Sequence, residues 1–324
     1  MAWIFVTRRL PGPALDRLSQ QHEVEIWPDR LPPPYERLCE HLQHADGLLS
    51  TISDRIDAPL IDQATDLKAI ANYAVGYDNV DVDAATRRGI PVGNTPDVLT
   101  DATADLAFTL LLASARRLLE AAATVADGTW DTWDPRGLLG RSVHGATLGI
   151  IGAGRIGQAV AKRATGFEME VLVAGRPSPD EDDDARQQTP PDGRTPILEV
   201  LQRSDFISIH CPLTEQTRHL IDTEALRLMK PTAILINTAR GPIVDQRALA
   251  AALRDGQIAG AGLDVTDPEP LPADDPLLAA PNLIVAPHIG SATHEARELM
   301  AELSVDNLLA ALKSEPMPHQ VNRT

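Results

Sequence analysis

The chain has 324 residues, 43% of them apolar and 23% charged, and carries a net charge of −17. That length exceeds one typical domain of about 100 to 200 residues, so two domains are expected, and the composition is that of an ordinary globular protein with no disordered bias. The acidic balance argues against nucleic acid or an anionic membrane surface as a partner, because long-range repulsion opposes both.

No apolar run reaches the roughly 18 residues that a membrane span needs. The opening residues Met1 to Arg9 place their apolar run before their charges, the reverse of a secretory signal, which makes the cytoplasm the expected compartment. Cys39 and Cys211 lie far apart and offer neither a metal-ligand cluster nor a disulfide framework, so no metal is expected.

The first hundred residues alternate short apolar runs with helical patterns. Strands are expected at 4–7, 24–27, 47–50, 67–71 and 91–93, with helices at 15–22 and 35–42. This is the pattern of a small α/β unit with a parallel sheet. Residues 28–34 read as a turn-rich connection and 59–64 as a short helix with an early proline. The strand at 67–71 runs into Asn72-Tyr73-Ala74-Val75-Gly76, where a glycine after a strand presents bare backbone N–H groups suited to a carboxylate. A simple strand-ending turn is the plainer reading of those residues alone.

From Thr103 to Ala126 the pattern is one helical stretch, apolar or small on most sides through Ser114, which requires burial on more than one face. A domain-core helix satisfies that, and so does a subunit contact. The loop at 128–133 then holds Trp130 and Trp133, and exposed tryptophans usually have a partner to cover them.

At 148–157 the run Leu-Gly-Ile-Ile-Gly-Ala-Gly-Arg-Ile-Gly takes a short strand into three spaced glycines. Gly152 permits a tight turn, Gly154 lets backbone approach a pyrophosphate, and Gly157 lets the next helix pack on its strand. The helix start then faces the anion. Glycines at this spacing also occur in plain turns, so the surrounding chain decides. A helix at 158–165 and a strand at 170–174 follow, and 177–196 is rich in Pro, Asp and Gln, with an acidic run at 180–184 that reads as a solvated loop. Strands at 204–210, 233–238, 258–265 and 283–287, with a helix at 246–254, complete a doubly wound parallel sheet whose ligands sit at the carboxyl ends of its strands. The last helix, at 294–312, is expected to pack back on the first domain.

Three polar groups follow strand ends in the second half: Arg240, Glu269 and His288. A histidine with a carboxylate partner suits proton donation near neutral pH, and an arginine offers a planar fork for a carboxylate. Each alone fits a satisfied polar group in a loop; together with a nucleotide site they fit reduction of a 2-keto acid.

The runs Asn72 to Asp81, Asn94 to Asp105, Asn237-Thr238-Ala239-Arg240-Gly241 and Pro287-His288-Ile289-Gly290-Ser291-Ala292 closely resemble the D-2-hydroxyacid dehydrogenase family, most of all its glyoxylate/hydroxypyruvate reductases. The resemblance covers nearly the whole chain. It implies a doubly wound Rossmann cofactor domain at 100–287, inserted in a smaller flavodoxin-like α/β substrate domain formed by 1–99 and 288–324, with a cleft that closes on substrate. It further implies NADPH-dependent reduction of small 2-keto acids, with His288 protonating the ketone oxygen, Glu269 supporting it and Arg240 holding the substrate carboxylate and carbonyl. The backbone at Val75 and Gly76 matches the carboxylate-binding loop, and Leu49 with Ser50 a neighbouring substrate-lining segment. Cofactor contacts are implied at Thr103, Arg155, Ile156, Cys211, Pro212, Thr217, Thr238, Ala239, Asp264 and Gly290, beside the three glycines, Arg240 and His288. A homodimer built largely on the cofactor domains is implied as well, with a tryptophan of 130–133 reaching the partner's active site. Two alternatives remain open: another family member, such as a broad 2-keto-acid reductase or a phosphoglycerate dehydrogenase, and a corepressor-like nucleotide sensor.

An NAD site expects Asp or Glu about 20 residues beyond the glycines. Eighteen residues beyond Gly157 stands Gly175, followed by Arg176. With a guanidinium and no carboxylate, a 2′-phosphate is welcome, so NADP(H) is expected, held by Arg176 and Ser178. NAD(H) is the alternative, with Asp180 or Glu181 in the carboxylate role.

Overall fold

The structure is a computed structural model that describes residues 1–175 and 195–322. It divides into two compact units, Met1–Leu99 with Ser291–Thr324, and Thr100–Gly290.

The first unit contains β1 (Trp3–Val6), α1 (Ala14–Ser19), β2 (Glu23–Ile26), α2 (Tyr35–Leu42), β3 (Gly47–Thr51), α3 (Ala58–Gln63), β4 (Ala69–Tyr73), α4 (Val82–Arg87) and β5 (Val92–Gly93). Its sheet runs β2-β1-β3-β4-β5, every pair parallel, which is the flavodoxin-like order. The central strands explain their own sequences: β4 is buried at all its residues, as a parallel strand covered on both faces must be. On one face Phe5, Leu48 and Ile70 pack with Leu38, Leu42, Leu60 and Ile61 of the helices. Each such side chain fully buried contributes about 1.5–3 kcal/mol. The closing helix, His294–Leu312, packs against α1, β3, β4 and β5 through residues that include Met300, Ala301, Val305 and Leu308. Its expected bounds and its place on the first sheet both hold.

Strand β4 starts two residues later than the apolar run suggests, because Leu67 closes the turn after α3 by donating to Ala64 O at 3.3 Å. Asn72 and Tyr73 are therefore strand residues.

The second unit contains α5 (Thr100–Ala115), α6 (Leu118–Ala126), β6 (Thr147–Ile151), α7 (Arg155–Ala164), β7 (Glu170–Ala174), α8 (Ile197–Arg203), β8 (Phe206–Ile209), α9 (Thr223–Leu228), β9 (Ile234–Asn237), α10 (Gln246–Arg254), β10 (Gly260–Leu263) and β11 (Leu283–Val285). The expected single helix from 103 to 126 is two helices, since Arg117 adopts φ +50° and turns the chain between them. Helix α5 is buried along most of its length, while α6 buries no residue.

Among the described residues the second sheet is parallel, in the order β11-β10-β9-β8-β6-β7. Side chains alternate across it. Ile234 and Ile236 pack with Phe108, Leu111 and Val160 on one face, and Leu235 with Val200, Leu226 and Leu249 on the other. The chain steps from β6 to β7 on one side and returns to β8 on the other, and ligands of such sheets bind where the order reverses. The register places Ala174, Ile151, Ile209, Asn237, Leu263 and Val285 in one row at the carboxyl edge. No helix among the described residues is long and apolar enough to cross a membrane.

Candidate active site

Most of the candidate site residues described in the second unit follow the strands that end at that row. After Ile151, Gly152 turns with φ +110°, and a Cβ there would lie 2.5 Å from Cys211 N. Only glycine tolerates both the backbone angle and the approach of the chain leaving β8. At Gly157 a Cβ would stand 2.1 Å from Gly152 O, which fixes how closely α7 packs on its turn. Gly154 differs: nothing lies within 4 Å of its would-be Cβ, and no side chain caps the α7 N-terminus that follows it. The space beside it and the positive end of a ten-residue helix suit a pyrophosphate. Arg155 and Ile156 form the first turn of that helix, and Gly175 follows β7, whose Ala174 O accepts from Gly152 N at 2.9 Å. Arg176 and Ser178 lie outside the described residues.

The β8 exit holds Cys211 and Pro212. Thr217 spends its hydroxyl within this loop, donating to Pro212 O at 2.7 Å and accepting from Thr214 N at 2.8 Å, so it shapes the loop. His210 is drawn down to about 4 by burial, and its Nε2 meets Ser208 Oγ at 2.8 Å.

At the β9 exit the buried Asn237 takes the turn in hand: its Oδ1 accepts from Ala239 N at 3.0 Å and its Nδ2 donates to Arg240 O at 2.8 Å. This bends the chain so that Thr238, Ala239 and Arg240 follow the strand directly. Gly241 must be glycine, since a Cβ would sit 1.9 Å from Thr266 O. The Thr238 hydroxyl is buried there without a hydrogen-bond partner, a polar atom suited to a ligand.

The β10 and β11 exits are joined. Asp264, 1% exposed, accepts from Ile289 N and Gly290 N, each at 2.7 Å, one on each oxygen. Burial pushes its carboxyl above the usual carboxylate range, against the pull of those two N–H groups and of His288. A Cβ at Gly290 would lie 3.1 Å from Asp264 Oδ2 and 3.4 Å from Thr103 Oγ1, so Thr103, Asp264 and Gly290 meet from three distant stretches. His288 adopts φ +56°, and its Nδ1 is hydrogen-bonded to Glu269 Oε1. Both side chains keep access to solvent, at 26% and 39%.

These residues fit a dinucleotide. The open glycine and uncapped helix stand at β6, the orphaned Thr238 hydroxyl at β9 and the histidine pair beyond β10 and β11. From β6 to β10 is three strand spacings, about 14 Å, a suitable span from pyrophosphate to nicotinamide. In the first unit Leu49 and Ser50 are fully buried in β3, and Val75 and Gly76 follow β4 half-buried. Among the described residues no group of three or more His, Cys, Asp or Glu could hold a metal ion. The sequence names Asn237 within a resembling run but assigns it no role; its signal is an asparagine at the last position of a strand, two residues ahead of a turn.

Known proteins agree. The family described as D-isomer specific 2-hydroxyacid dehydrogenase, NAD binding domain, matches residues 108–290. A glyoxylate reductase of Thermococcus gammatolerans is 50% identical over 325 residues, covering 99% of this chain and 96% of the relative. Among solved structures, a Thermus thermophilus protein superposes with a TM-score of 0.90 at 50% identity, over 99% of this chain and all of that one. An NADPH-dependent glyoxylate/hydroxypyruvate reductase from Sinorhizobium meliloti, in complex with NADP and malonate, gives 0.84 at 31% identity, over 100% of this chain and 99% of that one. With a Rossmann sheet whose strand ends carry this set of residues, the chain is an NAD(P)-dependent dehydrogenase and belongs to the D-isomer specific 2-hydroxyacid dehydrogenase family.

Proposed function

We propose that the chain reduces small 2-keto acids with NADPH, glyoxylate to glycolate and hydroxypyruvate to D-glycerate. The observation that carries this reading is the His288–Glu269 pair at the carboxyl edge of the cofactor sheet. A reduced nicotinamide, when bound, supplies a hydride equivalent to the carbonyl carbon. Glu269 occupies Nδ1 and orients the ring, so that Nε2 is the atom that gives its proton to the ketone oxygen. The Arg240 guanidinium takes the substrate carboxylate and carbonyl, and the N–H groups of Val75 and Gly76 take the carboxylate. The names of the Thermococcus relative and the Sinorhizobium neighbour support the substrate class.

The 2′-phosphate is assigned to Arg176 and Ser178, supported by the glycine at 175, where an NAD site expects a carboxylate. Specificity constants for NADPH and NADH test it, with glyoxylate and hydroxypyruvate in turn. The parent should prefer NADPH at least about tenfold, or 1.4 kcal/mol, and Arg176→Ala should erase the preference. Equal use of both cofactors by the parent overturns the assignment.

The partner is a second copy of the chain. Leu118, Leu119, Val125, Trp130, Trp133 and Leu139 are 54–79% exposed within residues 118–139, and large apolar side chains gathered in one exposed stretch suit a surface that a partner covers. Light scattering should give twice the chain mass for the parent and one chain mass for a Leu119→Asp variant; a monomeric parent overturns it.

A further inference from the structure

The turn after β4 is held from behind by three buried or half-buried groups. Ala74 O accepts from Thr95 N at 2.9 Å, Val75 O from Asn94 Nδ2 at 2.8 Å, and Gly76 O from Asn72 Nδ2 at 3.0 Å. In a trans peptide the N–H points opposite to the C=O of the same plane. With the carbonyls of 74, 75 and 76 drawn toward the protein, the N–H groups of Val75, Gly76 and Tyr77 are turned outward. None of the three donates within the chain among the described residues. Successive outward N–H groups form an anion-binding concavity.

Asn72 is built for this task and has nothing left over. It is fully buried, and its two amide hydrogens go to Gly76 O and Asn79 Oδ1, both at 3.0 Å. Its Oδ1 accepts from Ser50 Oγ at 3.1 Å and from Asn79 Nδ2 at 3.3 Å. Asn79 in turn donates to Thr51 O and Asp54 O at 3.0 Å, which ties the bracket to the end of β3. A buried amide with every donor and acceptor engaged admits one orientation only. Ser50 faces inward as part of this bracket.

We infer that Asn72 and Asn94 are positioning residues that hold the 75–77 backbone N–H groups in the orientation that binds the substrate carboxylate. The inference rests on the proposed reading of Val75 and Gly76 as carboxylate ligands. Neither asparagine touches substrate. They act by denying the loop carbonyls the outward position, where a carbonyl oxygen would repel the anion.

The test is Asn94→Ala, whose side chain is half-buried and whose main-chain bonds to His319 and Asn307 survive the change, with Asn72→Ala alongside. Glyoxylate and its neutral methyl ester are compared as substrates with NADPH, and a melting temperature is recorded for each variant. The expected result is a KM for glyoxylate raised at least tenfold in Asn94→Ala, with kcat within threefold, KM for NADPH unchanged and turnover of the ester unchanged. An unchanged KM for glyoxylate overturns the inference. Equal losses on glyoxylate and ester, following a lowered melting temperature, overturn it too, since they mark a purely structural role. Should Asn72→Ala fail to fold, Asn94→Ala alone decides. A parent enzyme that does not prefer glyoxylate over the ester would instead sink the carboxylate reading of Val75 and Gly76, a result separable from either outcome in the variants.

Discussion

The main-chain N–H of His288 donates to the carbonyl of Asp264 at 2.9 Å, while the Asp264 carboxylate takes the next two N–H groups, of Ile289 and Gly290. Three successive peptide groups are thus anchored to one buried residue. His288 lies in the left-handed region, which costs a non-glycine residue about 1–2 kcal/mol, and this anchorage holds it there.

Asp264→Ala should therefore cost both stability and rate. Each buried N–H left without a partner costs about 1–3 kcal/mol, and displacement of the ring by as little as 1 Å costs about a hundredfold in kcat. Thermal melting and steady-state kinetics check this together. A normal kcat in the variant would show that the His288 backbone is held by something else.

For the histidine pair itself, His288→Asn should lower kcat by about 10²–10⁴-fold, the usual worth of a positioned acid, with KM for NADPH little changed. Glu269→Gln keeps a hydrogen-bond acceptor for Nδ1 and should lose less activity than Glu269→Ala, which leaves the ring unsupported. An order of effects with Gln worse than Ala counts against the supporting role.

The glycine turn separates fold from binding. Gly152→Ala and Gly241→Ala meet backbone at 2.5 Å and 1.9 Å and should unfold or strongly destabilise the second unit. Gly154→Ala meets nothing, and its backbone is extended, so its melting temperature should hold or rise, the expected entropic gain being about 0.4–1 kcal/mol. Its KM for NADPH should nonetheless rise at least tenfold, because the methyl group takes the space of a phosphate. Unchanged cofactor binding in Gly154→Ala would move the pyrophosphate elsewhere.

His210 sets an acid limit. Burial lowers it from the ordinary 6.5 to about 4, so between those values the unfolded chain binds a proton that the folded chain refuses. Its contribution is fully present above pH 6.5 and is lost as pH falls toward 4, on the order of 3 kcal/mol. Urea melts of parent and His210→Gln across that window should show a shallower pH dependence in the variant. Parallel slopes would rule out His210 as the titrating group.

Much of this was legible in the sequence, for local reasons. Gly152, Gly154 and Gly157 announce a strand-turn-helix within ten residues, and Arg240 and His288 closely follow apolar runs that can only be buried strands. What was not legible depends on distance or on backbone angle. Nothing near Asp264 says that its oxygens reach residues 289 and 290, nor that Thr103 will stand beside them, because sheet order brings them together. The break at Arg117 is a single left-handed residue between two good helical stretches, which apolar periodicity passes over. Asn72, Asn94 and Asn237 look like turn formers one at a time; that two of them cap loop carbonyls and the third closes its own turn emerges only from the geometry.

The closing helix lies at the far end of the chain from the strands it covers. During synthesis the strands of the first unit leave the ribosome without it, and the apolar surface of β3 and β4 that receives Met300, Val305 and Leu308 stays open until residues 294–312 have been made. The second unit is contiguous and can fold in that interval. The first unit is thus completed after the second, and its open strands meanwhile are a risk for aggregation and a natural claim on a chaperone.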